Sequence, residues 1–211
     1  MKQPESRITT SALLLSVCAI VSCHAADQQV ATKTAEFNEQ KEISSLDFSP
    51  DTHSLATVEW TGSEVHIWKW EKEPLIEKRL SFTEGAALFT LQGGLQYSPD
   101  NTLLAMVQTA RRDDPSVVKI WDTNSGSFHA IGEAGRRGLK SGIAFSTDGK
   151  FLIRSYDASN SASDDQLFVY DTKTWNLAWS LRTAPFIPKV MSLSPNGKFI
   201  ALGGMTTSPL F

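Results

Sequence analysis

Four short stretches of this chain repeat one another. They read LDFSPD from Leu46, LQYSPD from Leu95, IAFSTD from Ile143 and MSLSPN from Met191. Aligned on Pro50, Pro99, Thr147 and Pro195, they follow at steps of 49, 48 and 48 residues. A fixed period of that length marks a chain made from one supersecondary unit used several times. Each stretch opens a longer unit. After the turn come SLATVEW, LLAMVQT, FLIRSYD and FIALGG, then EVHIWKW, VVKIWDT and LFVYDT, and finally LIEKRLSF, SFHAIGE and NLAWSLRT. A complete unit thus holds four runs of β-branched, aromatic and aliphatic residues parted by turn residues, which predicts a four-stranded meander. In the turns Pro presets φ, and Asp, Asn or Gly tolerates the conformation that follows.

One such sheet cannot bury both of its faces alone, whereas several stacked around an axis share a continuous core. Trp68, Trp121 and Tyr170 occupy equivalent places near the end of the third run. They are expected to fill the space between sheets as core residues rather than to form a ligand cage. Ile120, Trp121 and Asp122, echoed by Val169, Tyr170 and Asp171, together with the Ser-Pro-Asp turns, resemble the WD-repeat β-propeller family over roughly residues 43–211. The resemblance implies an all-β fold: a partial β-propeller of about three and a half four-stranded antiparallel blades, preceded by a signal segment. The family's Gly-His pair is missing from every unit, and Lys69 stands where an Asp is expected. The family's His–Asp–Ser–Trp network is therefore incomplete, and the repeats are divergent. Ser-Pro-Asp-Gly propellers of the Tol-system type are a close alternative.

The fourth unit stops after its second run, at GGMTTSPLF. In the family an N-terminal strand often completes the last blade, and residues Glu36 to Ser44 are the candidate here. Two accounts fit the incomplete ring. The chain is a truncated piece of a longer parent, the account we adopt, or its edge pairs with another copy. An open ring exposes strand edges and half-cores.

The segment before the repeats reads as an address. Lys2 and Arg7 precede an apolar run from Ala12 to Val21, which is short for a permanent membrane span and suits a secretion signal. Ile20-Val21-Ser22-Cys23 resembles the lipobox of bacterial lipoproteins, whose cysteine is lipidated and becomes the new first residue. Cleavage after Ala25 is the other possible exit. The expected organisation is a signal peptide over 1–22, a polar tether over 23–42 and an incomplete propeller over 43–211. The expected location is the bacterial envelope, lipid-anchored through Cys23 at the outer membrane and facing the periplasm, or else soluble in the periplasm. Cys18 and Cys23 are the only cysteines, so the repeats carry no disulfide and no thiolate metal site. A formal charge of -3 gives no broad pull toward nucleic acid.

Strand alternation sorts the connections onto two faces. Short turns (SPDT, SPDN, STDG, SPNG, TNSG) share one face. Longer connections (TARRDDPS, SYDASNSASDDQ, TEGAALFTLQGG, GEAGRRGLKSG) share the other, where binding on a rigid scaffold usually sits. Arg111, Arg112, Arg136, Arg137 and Lys140 fall on that second face and are the candidate partner-binding residues, set against the plainer reading of solvated loop charge. GEAGRRG lacks the context of a phosphate loop and is expected to be a flexible blade link. Asp157, Asp164 and Asp165 do not match a calcium loop. His53, His66 and His129 fall in different units or strands, without metal-ligand spacing. No catalytic motif is present, and neither a catalytic residue, a metal nor a cofactor is expected. The resemblance implies a scaffold or protein-interaction role. The alternatives are an envelope propeller enzyme, of hydrolase or quinone-dependent dehydrogenase type, and a non-functional fragment.

Overall fold

A computed structural model of the chain describes residues 16–22, 32–39, 42–59, 64–69, 75–81, 89–109, 115–137, 142–156, 167–183 and 186–206. Among these residues the only regular elements are strands, all paired antiparallel with their neighbours. β1 (Ser16–Ser22) and β2 (Thr32–Glu39) form a two-stranded sheet. The first four-stranded sheet is β3 (Ile43–Phe48), β4 (Ser54–Glu59), β5 (Glu64–Lys69) and β6 (Leu75–Ser81), side by side in chain order. The second is β7 (Phe89–Tyr97), β8 (Leu103–Thr109), β9 (Pro115–Asp122) and β10 (Phe128–Arg137). The third is β11 (Ile143–Phe145), β12 (Phe151–Ser155), β13 (Leu167–Asp171) and β14 (Leu177–Leu181). β15 (Phe186–Leu193) and β16 (Ile200–Thr206) pair as a fourth, two-stranded sheet.

The period of two along each strand builds the core between sheets. Ala56, Val58, Val65, Ile67 and Leu80 of the first sheet meet Leu95, Tyr97, Leu104, Met106 and Trp121 of the second. The opposite face of the second sheet offers Ala105, Val107, Val118, Ile120 and Ile131 to Ile143, Phe145, Leu152, Tyr156, Phe168 and Tyr170 of the third. Ile153, Leu167 and Val169 then receive Met191, Leu193, Ile200 and Leu202 of the fourth. The second and third sheets thus share a core on both faces with their neighbours, the radial packing expected from the repeat. Trp68, Trp121 and Tyr170 are core residues, and the Trp68 indole N–H donates to Thr57 Oγ1 at 2.8 Å.

The innermost strands are also stitched to one another. The Tyr97 N–H donates to Asp47 Oδ2 at 2.7 Å, and the Phe145 N–H to Gln96 Oε1 at 3.0 Å. Asp47 and Gln96 are repeat equivalents. Ala144 takes that place in the third sheet and offers no acceptor.

Three expectations need correction. GEAGRRG is not a blade link from its first residue, because β10 runs through Arg137. Gly132 lies opposite Val117 and Arg137 opposite Pro115, with a register irregularity between them. Pairing with β9 overrides the turn propensity of the glycines. Likewise β7 starts at Phe89, inside the stretch read as a link. Residues Glu36 to Ser44 do not complete the fourth sheet. Residues 36–39 belong to β2, which pairs with β1, and residues 43–44 open β3.

Candidate functional site

The turn face is built from one hydrogen-bonded device used four times. In the first unit the Ser49 hydroxyl donates to Asp51 Oδ1 at 2.6 Å and accepts the Ser54 N–H at 2.8 Å, while Asp51 Oδ1 also accepts the His53 N–H at 3.0 Å. Ser98 and Asp100, Ser146 and Asp148, and Ser194 and Asn196 repeat the arrangement. The next residue in each turn has positive φ: Thr52 (62°), Asn101 (64°), Gly149 (70°) and Gly197 (68°). Glycine and Asn adopt this conformation at low cost, whereas the β-branched Thr52 is an uncommon occupant of it.

The Asp of the Trp-Asp pair does similar work in the next turn. Asp122 Oδ1 accepts the Asn124 and Ser125 N–H groups at 3.0 and 2.7 Å, and Asp171 Oδ1 those of Lys173 and Thr174 at 3.0 and 2.8 Å. These donors hold the carboxyls below the usual carboxylate range. Ser49 does so chiefly for Asp51, the Ser125 N–H for Asp122 and the Thr174 N–H for Asp171. For Asp100 burial opposes the shift, but bonds from Ser98 and Thr102 win. Asp148, held by Ser146 and then Lys150, falls to about 2. Asp47 moves the other way: burial raises it, partly offset by the Tyr97 N–H.

Neighbouring sheets are tied across this same face. Asn101 Nδ2 donates to Asp51 Oδ2 at 3.0 Å. Lys78 Nζ donates to the Thr123 and Asn124 carbonyls at 2.8 and 3.0 Å. His129, the repeat equivalent of Lys78, stacks instead on Trp175, with ring centroids 5.6 Å apart and planes at 18°.

The opposite face is where the candidate residues were expected. Arg111, Arg112 and Lys140 lie outside the described residues, as does Cys23. Arg136 and Arg137 close β10, and Arg137 sits opposite Pro115, the first residue of β9. Arg112 precedes Pro115 by three residues in the chain. The register therefore brings the arginine pair on β10 to the strand end into which the Arg111–Arg112 connection leads. At the same end of the first sheet, Glu64 accepts the Ser81 hydroxyl at 3.0 Å and approaches His66 Nε2 at 3.4 Å.

A residue that the sequence reading passed over lies beneath this face. Arg154 on β12 is fully buried, with its guanidinium carbon 3.8 Å from the centroid of the Tyr156 ring. Tyr156 meets Phe168 edge to face at 5.2 Å and 82°. A cation over an aromatic face is held electrostatically, here at the end of β12 from which the 157–166 connection departs. Within the run FLIRSYD the arginine looked like a polar member of an apolar strand. Aligning it with Thr57 and Met106, its repeat equivalents, marks the charge as placed between sheets. Among the described residues no group of three or more His, Cys, Asp and Glu side chains is placed to hold a metal ion.

No family model matches the chain, and no curated protein matches it by sequence. Solved structures do. Hydrazine synthase of Kuenenia stuttgartiensis superposes with a TM-score of 0.60 at 19% identity, over 79% of this chain and 43% of that one. TolB of Acinetobacter baumannii gives 0.58 at 18% identity, over 86% and 42%. The WD40 repeats of RRP9 give 0.52 at 18% identity, over 68% and 39%. These neighbours include WD40 and TolB-type β-propellers, and the fold of this chain is a β-propeller arrangement of four-stranded antiparallel sheets. The chain spans less than half the length of each of these three structures.

Proposed function

We propose that this chain is an exported interaction module that binds a protein partner through the long-connection face of its propeller. The observation that carries the reading is the contrast between the two faces. The turn face spends its polar groups on itself: serine hydroxyls, aspartate oxygens and backbone N–H groups close the same circuit in all four units. The other face has connections of unlike length and sequence on a rigid frame, the usual setting for recognition. Arg136 and Arg137 end a strand on that side, Arg137 opposite Pro115. Arg111, Arg112 and Lys140 complete the proposed surface from sequence. Guanidinium groups pair with carboxylates in two-point fashion, so the partner presents acidic side chains.

The leader supports export to the bacterial envelope, with Cys23 as the lipid anchor and the propeller facing the periplasm. The binding test is capture from envelope extracts with the wild-type chain and with Arg136→Ala/Arg137→Ala. The double variant is expected to keep its far-ultraviolet circular dichroism and lose the partner; equal recovery rejects the arginine surface. Palmitate incorporation is expected in the wild type and absent in Cys23→Ala; equal labelling rejects the anchor.

A further inference from the structure

One turn of the repeated device carries an amide where its equivalents carry an acid. Asn196 takes the place of Asp51, Asp100 and Asp148. It is also the only asparagine of the chain that precedes a glycine; the others precede Glu39, Thr102, Ser125, Ser161 and Leu177. A glycine nitrogen has no Cβ beside it, so the side-chain amide of the residue before can approach it closely. The fold fixes that glycine. Gly197 has φ 68°, and a Cβ there would collide with the Thr147 side chain from the turn of the third sheet.

Asn196 and Gly197 are exposed, within reach of water and hydroxide, yet both reacting groups are held in other bonds. The Gly197 N–H donates to the Ser194 carbonyl at 2.8 Å. Asn196 Oδ1 accepts the Ser194 hydroxyl at 2.7 Å and the Lys198 N–H at 3.1 Å. The Ser194 hydroxyl in turn accepts the Phe199 N–H at 2.9 Å. The side-chain amide cannot swing onto the Gly197 nitrogen until this circuit opens.

We propose that Asn196–Gly197 is a self-modification site, held closed by the Ser194 circuit and released when the turn between β15 and β16 opens. The Gly197 nitrogen gives up its proton and bonds to Asn196 Cγ. The Cγ–Nδ2 bond breaks, and Nδ2 leaves with a proton as ammonia. Water then opens the resulting succinimide at either carbonyl, giving an aspartate at 196 or its β-linked isomer. The turn suits the first product. Asp148 shows the partners waiting for it: Ser146 Oγ, the Lys150 N–H and Lys150 Nζ, 3.0 Å from Oδ2, are equivalent to groups of Ser194 and Lys198. The β-linked isomer adds a backbone carbon before Gly197 and breaks the circuit. The change is irreversible, so it accumulates as a record of turn opening, on the face away from the arginine surface.

The test follows deamidation by peptide mapping and mass spectrometry, with synthetic standards for both products. The 211-residue chain and Ser194→Ala are held at mildly alkaline pH in buffer and in urea. Wild type in buffer is expected to react at 196 about tenfold or more slowly than in urea, because only its open fraction reacts. Ser194→Ala is expected to react about fivefold or more faster than wild type in buffer, the weight of a typical lost hydrogen bond, and equally fast in urea. Asn124–Ser125, in another turn, is the internal control and is expected to keep one rate in both chains. The wild-type comparison stands even if the variant folds poorly. Equal wild-type rates in buffer and urea overturn the proposal. So does a Ser194→Ala rate in buffer equal to that of wild type, or an equal acceleration at Asn124.

Discussion

Leu80, Ile131 and Leu181 give a three-point experiment on how this chain is held together. Truncating each to Ala removes three side-chain carbons from the same register position in three successive sheets. At about 0.8 kcal/mol per buried carbon, the transfer contribution is about 2.4 kcal/mol where burial is complete. A cavity adds to this wherever the neighbours cannot collapse, which puts core truncations of this kind at about 2–5 kcal/mol. Leu80 and Ile131, at 3% and 7% exposure, fall in that range. Leu181, at 50%, keeps about half of the transfer contribution, and its open side leaves no cavity, so its loss is about 1 kcal/mol. The assay is urea unfolding followed by tryptophan fluorescence, with midpoints and slopes compared. A Leu181→Ala loss as large as that of Leu80→Ala would mean that something covers Leu181 in solution. A loss below about 1 kcal/mol at both Leu80 and Ile131 would refute radial packing as the source of stability.

Two further predictions concern carboxylates of opposite character. Asp148 is held at about 2, so it adds stability above the unfolded value, and this is lost as pH falls from about 4 toward 2. Asp148→Asn is expected to keep the turn, since Asn196 makes the same bonds to Ser194 and the Lys198 N–H, and to flatten the acid limb of stability; urea midpoints from pH 7 to 2 check this. Asp47 has a raised value, so its charge costs stability once pH rises from about 3.9 through the folded value. Asp47→Asn is therefore expected to be at least as stable as the wild type at pH 7. Asp47→Ala leaves the Tyr97 N–H without this acceptor and is expected to lose about 1–3 kcal/mol by the same urea measurement.

The period, the meander and the aromatic core were legible because each rests on local chemistry: turn residues at fixed offsets and alternating apolar runs. The extension of β10 through Gly132 and Arg137 was not, since ladder pairing with Val117 and Pro115 is a tertiary fact that glycine-rich sequence argues against. Trp175 is a similar case. It has φ 57° where the second unit has Gly126, a costly place for a bulky side chain, and its stack on His129 from the preceding sheet compensates. Arg154 stayed hidden because one charge in an apolar strand reads as an exception until the repeats are overlaid. The strand placement of Arg136 and Arg137 was not legible either, since both stand in a glycine-rich stretch that reads as a loop.

Four of the ties between sheets reach forward along the chain, from an earlier side chain to a later sheet. Asp47 receives the backbone of Tyr97, Gln96 that of Phe145, Lys78 grips carbonyls 45 and 46 residues ahead, and His129 waits for Trp175. In each case the side chain is translated before its target. A polypeptide threaded out amino-terminus first would meet a template already made for the second and third sheets, so growth of that part of the fold can keep pace with its delivery.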